Sequence, residues 1–205
     1  ETMPTLEHIV DLASELGIIV PAVHIRDNLR LKAGAYRLML SGNELGSAEL
    51  KVHKLLAMDP TGTSRPISGE AVKEPAFGLP ARWIAGGDRD TAEALGYTVV
   101  DPATVAATHL AELLRAASPD LLGRSEAQEL VDLFARREPK LVDELTPKLL
   151  PLSAVHAVLN SLLAEQVPIR DLRTIVGALI DGAAASQEPR ALHEMVRLKL
   201  GGYIV

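Results

Sequence analysis

Cysteine is absent from this 205-residue chain, and aromatic residues make up only 3% of it. Without thiols there are no disulfides and no thiolate metal sites, which fits a reducing compartment. A long apolar run is missing too. The longest stretch free of charged or strongly polar side chains lies near Leu16 to Val23, far short of the roughly 20 residues a membrane helix needs. Glu1-Thr2-Met3 opens nothing like a signal peptide. Basic residues are not in excess: the formal net charge of −6 argues against binding to a phosphate backbone, so no nucleic-acid partner is expected. Up to Leu121 there are 11 basic and 16 acidic residues, and beyond it 10 and 11. That acidity either steers basic partners or simply keeps the surface solvated.

Several catalytic signatures are also lacking. Pro60 to Ser64 sets a glycine among hydroxyls but has no Gly-Lys-Ser/Thr, so it cannot cradle nucleotide phosphates. No Gly-x-Ser-x-Gly elbow occurs. His193-Glu194 lacks the second histidine of a zinc helix, and His8, His53, His109 and His156 are scattered singly. His24, Arg26 and Asp27 lie close together, but neither the order nor the downstream residues of a kinase loop are present, and a turn held by local hydrogen bonds is expected. An enzyme is the least supported class, and neither a metal nor a cofactor is expected.

What the chain has is 47% hydrophobic residues, enough for one core or two smaller ones. Pro4 opens an amphipathic helix with Leu6, Ile9, Val10, Ala13 and Leu16 on one face, ended by Gly17. Ile18 to Ile25 is rich in β-branched residues but broken by Pro21, and reads as an edge or irregular strand. Tyr36 to Leu40 and Glu44 to Leu50 read as a hairpin about Ser41-Gly42-Asn43, with a third strand at Lys54 to Met58. Asp59 to Pro75 reads as irregular loop. Ala81 to Ala85 and Gly96 to Val100 read as strands around a short helix opened by Asp88. Asp101-Pro102 then starts a helix with Val105, Ala106, Leu110, Leu113, Leu114 and Ala117 on its apolar side and Thr104, Thr108, Glu112 and Arg115 elsewhere. Beyond Pro119 only helical patterning remains. Ser125 and Gln128 suggest a capping box, and helices are expected at Ser153 to Ala164, Asp171 to Asp181 and Pro189 to Leu200.

Constraints concentrate between Glu74 and His109. This stretch holds the only tryptophan, Trp83, one of the two phenylalanines, Phe77, and the prolines Pro75, Pro80 and Pro102. Two readings of Phe77 are open. It either plugs its own core, as most large aromatics do, or is held at a cleft by Pro75, Gly78 and Pro80, ready for a partner's apolar face.

Four strings, VPAVHIRDNL (20–29), PAFGLPARWI (75–84), GYTVVDPATVAATHL (96–110) and VPIRDLRTI (167–175), resemble in one order the cytoplasmic domain of the FlhA-type export-gate (FHIPEP) family of type III secretion, the HIRDN string being closer to its flagellar than its injectisome branch. The resemblance implies an α+β fold. A split α/β first subdomain (1–52 and 101–121, its opening strand absent) would carry a small β-rich inserted subdomain (53–100), followed by an all-α subdomain (122–205); a fourth subdomain and a membrane domain would lie outside this chain. It also implies a docking platform for export chaperone–cargo complexes on the cytoplasmic side of the bacterial inner membrane, contacts with other export-apparatus proteins, and self-association into a ring through the helical subdomain. An injectisome gate or a purely structural ring module are the alternatives. In flagellar members an Asp, a Phe and a helix Thr line the chaperone-binding cleft between the first two subdomains; the matching positions are Glu74, Phe77 and Thr108, Glu74 differing from the family's Asp by one methylene.

Overall fold

The computed structural model describes residues 4–20, 22–62 and 65–201, with the backbone alone for residues 4–7. The fold is α+β, and the chain divides into two compact units. One comprises the chain up to Ile9 and Val23–Leu114; the other comprises Val10–Ala22 and everything from Arg115 onward.

The first unit is built on two sheets. Strands β1 (Ala35–Leu40) and β2 (Asn43–Glu49) form an antiparallel hairpin in which Leu40 faces Asn43, so the turn is Ser41-Gly42. Both turn residues have left-handed φ, 49° and 85°, which matches the twist of the flanking strands. The second sheet is antiparallel throughout, in the order β4 (Glu70–Lys73), β5 (Pro80–Ile84), β3 (Leu55–Met58), β6 (Thr98–Val100). Its central strand, Leu55-Leu56-Ala57-Met58, is apolar at every position because both of its faces are covered. On one face Ala57, Ile84 and Val99 pack with Ala92 and Tyr97, Ala92 coming from the short helix α2 (Arg89–Ala94). On the other, Leu56, Ala81 and Trp83 pack with Val105 of helix α3 (Pro102–Ala116).

Helix α3 starts where the sequence indicates. Asp101 accepts from the Thr104 amide at 2.8 Å and from its hydroxyl at 3.0 Å, and these bonds, the amide foremost, hold the Asp101 carboxyl below its ordinary range. The helix also lies tight against the hairpin. A Cβ built on Gly46 would stand 2.7 Å from the Leu113 side chain, so only glycine admits this approach.

Some expectations are corrected here. Among its described residues Ile18 to Ile25 forms no strand; Pro21 supplies no N–H, so the β-branched residues around it have no continuous donor row to offer a ladder. The segment expected to be loop from Asp59 to Pro75 contains β4, an edge strand that pairs on one side only. His24, Arg26 and Asp27, expected in a turn, lie in a segment with no turn; the turn comes after them at Leu29-Arg30, where Asn28 accepts from the amides of Arg30 and Leu31 at 3.0 Å.

The second unit is helical, and no strand lies beyond Val100 among the described residues. Helix α1 (Pro4–Leu16) gives it Leu12 and Leu16, both buried, whereas Val10, expected on the apolar face, is exposed. After α4 (Ser118–Leu121) come α5 (Arg124–Ala135), α6 (Pro139–Glu144) with a further turn at Leu145–Leu149, α7 (Leu152–Ala164), α8 (Leu172–Ala183) and α9 (Pro189–Lys199). Helix α7 is the axis of the core. Its Val155, Val158, Leu159, Leu162 and Leu163 are fully enclosed, each side chain contributing about 1.5–3 kcal/mol by leaving water. Asp171 caps α8, accepting from the Thr174 amide at 3.1 Å and its hydroxyl at 2.6 Å. The expected capping box at Ser125 is absent, because Gly123 takes the cap position and Gln128 instead donates to Asp132 at 2.7 Å. Segments of this unit distant in sequence are tied by polar contacts as well: the Ile169 amide donates to the Leu16 carbonyl at 2.8 Å, and Arg115 meets Glu15 with both of its terminal nitrogens at 3.1 and 3.0 Å.

Candidate functional site

The connection between β4 and β5, residues 74–79, is shaped by the side chain of Glu74. Its Oε1 accepts from the Ala76 amide at 2.7 Å and its Oε2 from the Phe77 amide at 2.8 Å. Its own backbone closes the turn, the Glu74 amide donating to the Leu79 carbonyl at 2.8 Å and its carbonyl accepting from the Gly78 amide at 2.9 Å. Four hydrogen bonds thus converge on one residue that is 3% exposed. A buried carboxylate is tolerated when amides satisfy it, and here they do. Gly78 completes the turn with φ +70°, a conformation that disfavours any L side chain.

Phe77 stands at the tip of this turn and is 60% exposed. A ring so open fills no core, which sets aside the first of the two readings left by the sequence. Pro75 and Pro80, which fix φ on either side, brace the turn that carries it.

Beneath the turn is a polar pair that sequence spacing does not reveal. The Tyr36 hydroxyl of β1 lies 2.6 Å from Nδ1 of His109 on α3, their rings edge to face at 5.7 Å between centroids. Burial, and after it the charge of Glu74, push the Tyr36 phenol up to about 12. Burial also lowers the His109 pKa, with the Glu74 charge acting in the opposite sense. Both rings are therefore neutral near pH 7, and the phenol and Nδ1 share one hydrogen bond whose donor is set by the imidazole tautomer. Such a pair fastens α3 to β1 and has no reason to shuttle protons at neutral pH, because each group is shifted away from it.

Of the three expected site residues, the structure unites Glu74 and Phe77 in one turn. Thr108 lies on α3, half-buried, one residue before His109, and is related to the turn by helical position alone. Glu74 has a role within the fold that its expected part did not include. Both carboxylate oxygens are engaged by the chain's own amides, so the residue shapes the turn that presents Phe77. Neither Tyr36 nor His109 is singled out by the sequence as a site residue. The signal that was available is the position of Glu74 two and three residues ahead of free amides in a proline-bracketed loop, the spacing of side-chain capped turns.

Comparison with known proteins gives a consistent result. The sequence profile of the FHIPEP family matches residues 7–205. The chain is 43% identical over 189 residues to the flagellar biosynthesis protein FlhA of Escherichia coli (strain K12), an alignment covering 92% of this chain and 27% of that protein. Among solved structures it is similar to CdsV in the Chlamydia pneumoniae CdsV and CdsO complex, with a TM-score of 0.86 and 26% identity over 100% of this chain and 59% of that one. It is also similar to the nonameric EPEC SctV-C, with a TM-score of 0.76 and 25% identity over 100% of this chain and 63% of the other. The chain therefore spans little more than a quarter of the flagellar relative's length.

Proposed function

Because this chain belongs to the FHIPEP family, we propose that its first unit is a docking module of the flagellar type III export gate, receiving export chaperone–cargo complexes at the Phe77 turn. The observation that carries this reading is an exposed aromatic ring on a turn locked from below by a buried carboxylate. Such a ring can enter an apolar pocket on a partner with little conformational freedom left to lose. Thr108 contributes a hydroxyl to the same surface, and Glu74 acts through Phe77 by holding its amide. Selection among cargo complexes follows from differences in affinity for this surface, which gives an order to export.

The higher identity to the flagellar relative than to CdsV favours the flagellar branch over the injectisome. The unit works in a parent anchored in the inner membrane, on its cytoplasmic side. Self-association, with the helical unit as its proposed surface, is in keeping with the nonameric state of the similar SctV-C, and contact with further export-apparatus proteins with the complex of CdsV with CdsO.

Calorimetric titration of the chain with an export chaperone–cargo complex tests the reading. Phe77→Ala is expected to weaken binding by on the order of 2 kcal/mol, as loss of an interface anchor does, while the melting temperature hardly moves because no core is hollowed. Thr108→Ala is expected to cost about 1 kcal/mol or less. Unchanged affinity of Phe77→Ala would remove the turn from the docking surface.

A further inference from the structure

On the helical unit a recess of about 640 Å³ opens between the end of α5 and the start of α8. Its floor includes Leu133, 42% exposed, with Phe134 and Leu172 beside it. Around the rim stand Arg136, Arg137, Arg170 and Arg173, all exposed. Four of the ten basic residues beyond Leu121 thus gather at one opening of a chain whose net charge is −6.

Two carboxylates share the lining, and each has work within the fold. Glu138 lies 3.2 Å from Arg173, and Asp171 caps α8 through Thr174. Among the described residues no ion pair holds Arg136 or Arg137. Below the floor, Phe134 and Leu172 also border a void of about 10 Å³ lined by apolar side chains of the core.

We infer that this recess docks an acidic peptide segment with an apolar face, contributed by a partner protein. Guanidinium forks bind carboxylates with two parallel bonds, which matches an occupant bearing Asp and Glu. The leucine and phenylalanine floor calls for aliphatic side chains on the same segment. The volume lies within the range of pockets that enclose a ligand, and its concavity suits an inserted segment better than a second globular face.

The test uses fluorescence anisotropy with the full chain and a labelled peptide that has Leu at i, i+3, i+4 and i+7 and Glu between them. Saturable binding that weakens with added salt is expected, with at least a tenfold loss in the Arg136→Glu, Arg137→Glu double variant. Leu133→Ser is expected to weaken it several-fold, and Phe77→Ala to leave it unchanged, which separates this surface from the turn. The melting temperature of the double variant should match the parent, since both side chains are exposed. The inference is overturned by absence of saturable binding, by equal binding of a peptide with Lys in place of Glu, or by equal binding to the double variant. It is also overturned if sedimentation finds self-association of the parent chain that the double variant abolishes, since a second copy would then be the occupant.

Discussion

The two units keep their shape by different means. In the sheet-based unit the decisive contacts around the candidate site are polar: Glu74 on its amides, Asp101 on Thr104, Tyr36 on His109. In the helical unit they are mostly apolar, with the leucines and valines of α7 enclosed on all sides. Polar contacts are directional and fix where an atom points, whereas apolar burial is non-directional and fixes mainly that a surface is hidden. A presented ring needs the first kind. The phenylalanines follow the same division, Phe77 projecting from a polar turn and Phe134 half-buried over a small apolar void.

Truncation in the helical core should break this contrast most severely. Leu159→Ala is expected to destabilise the chain by about 2–5 kcal/mol in denaturant unfolding, the sum of lost transfer energy and the cavity left behind. A loss below about 1 kcal/mol would mean that α7 is not the axis of the core. A smaller effect is expected at Glu74. Glu74→Ala strips the acceptors from two partly buried amides and should cost about 1–2 kcal/mol of stability, with a loss of docking affinity that Glu74→Gln partly restores. If Glu74→Gln binds as weakly as Glu74→Ala, the carboxylate meets the partner directly.

Gentler still is the effect of pH on the first unit's polar pair, two groups shifted by burial in opposite directions. The His109 pKa is lowered from its ordinary 6.5, so its contribution is complete above that value and is lost as pH falls toward the folded-state pKa. The Tyr36 phenol is raised from 10.0 to about 12, so its contribution is complete below pH 10 and is lost as pH rises toward 12. Melting curves of Tyr36→Phe should show a smaller alkaline decline than the parent, and those of His109→Gln a smaller acidic one, the remainder belonging to groups such as Lys51 and Asp101. Parallel declines in parent and variants would assign the pH dependence to other groups.

Local signals in the sequence located most elements correctly. Asp101-Pro102 and Asp171 mark helix starts because a short carboxylate two or three residues before free amides has few alternatives. The hairpin at Ser41-Gly42 is equally legible, since its residues tolerate left-handed backbone. Strand β4 is not, because Glu-Ala-Val-Lys has only one β-branched residue and owes its conformation to the neighbour it pairs with. Ser125 misled in the other direction, offering a capping box two residues too late for a helix that Gly123 had already opened. At the site, Phe77 was legible as an exceptional residue but not its exposure, and the bond between Tyr36 and His109 joins residues 73 positions apart, a distance at which pattern carries no information about contact.

Under the proposed docking role, the turn around Phe77 also bears on its tempo. Its amides are fastened and its backbone bends are fixed before any partner arrives, so the ordering step belongs to folding and is absent from the encounter. Association can then run at the rate set by collision and orientation, within the roughly 10⁵–10⁷ M⁻¹s⁻¹ open to proteins that bind without rearranging. Differences among partners fall to how long each complex lasts. In the proposed gate role, complexes that form alike and part at different speeds would separate one cargo from the next.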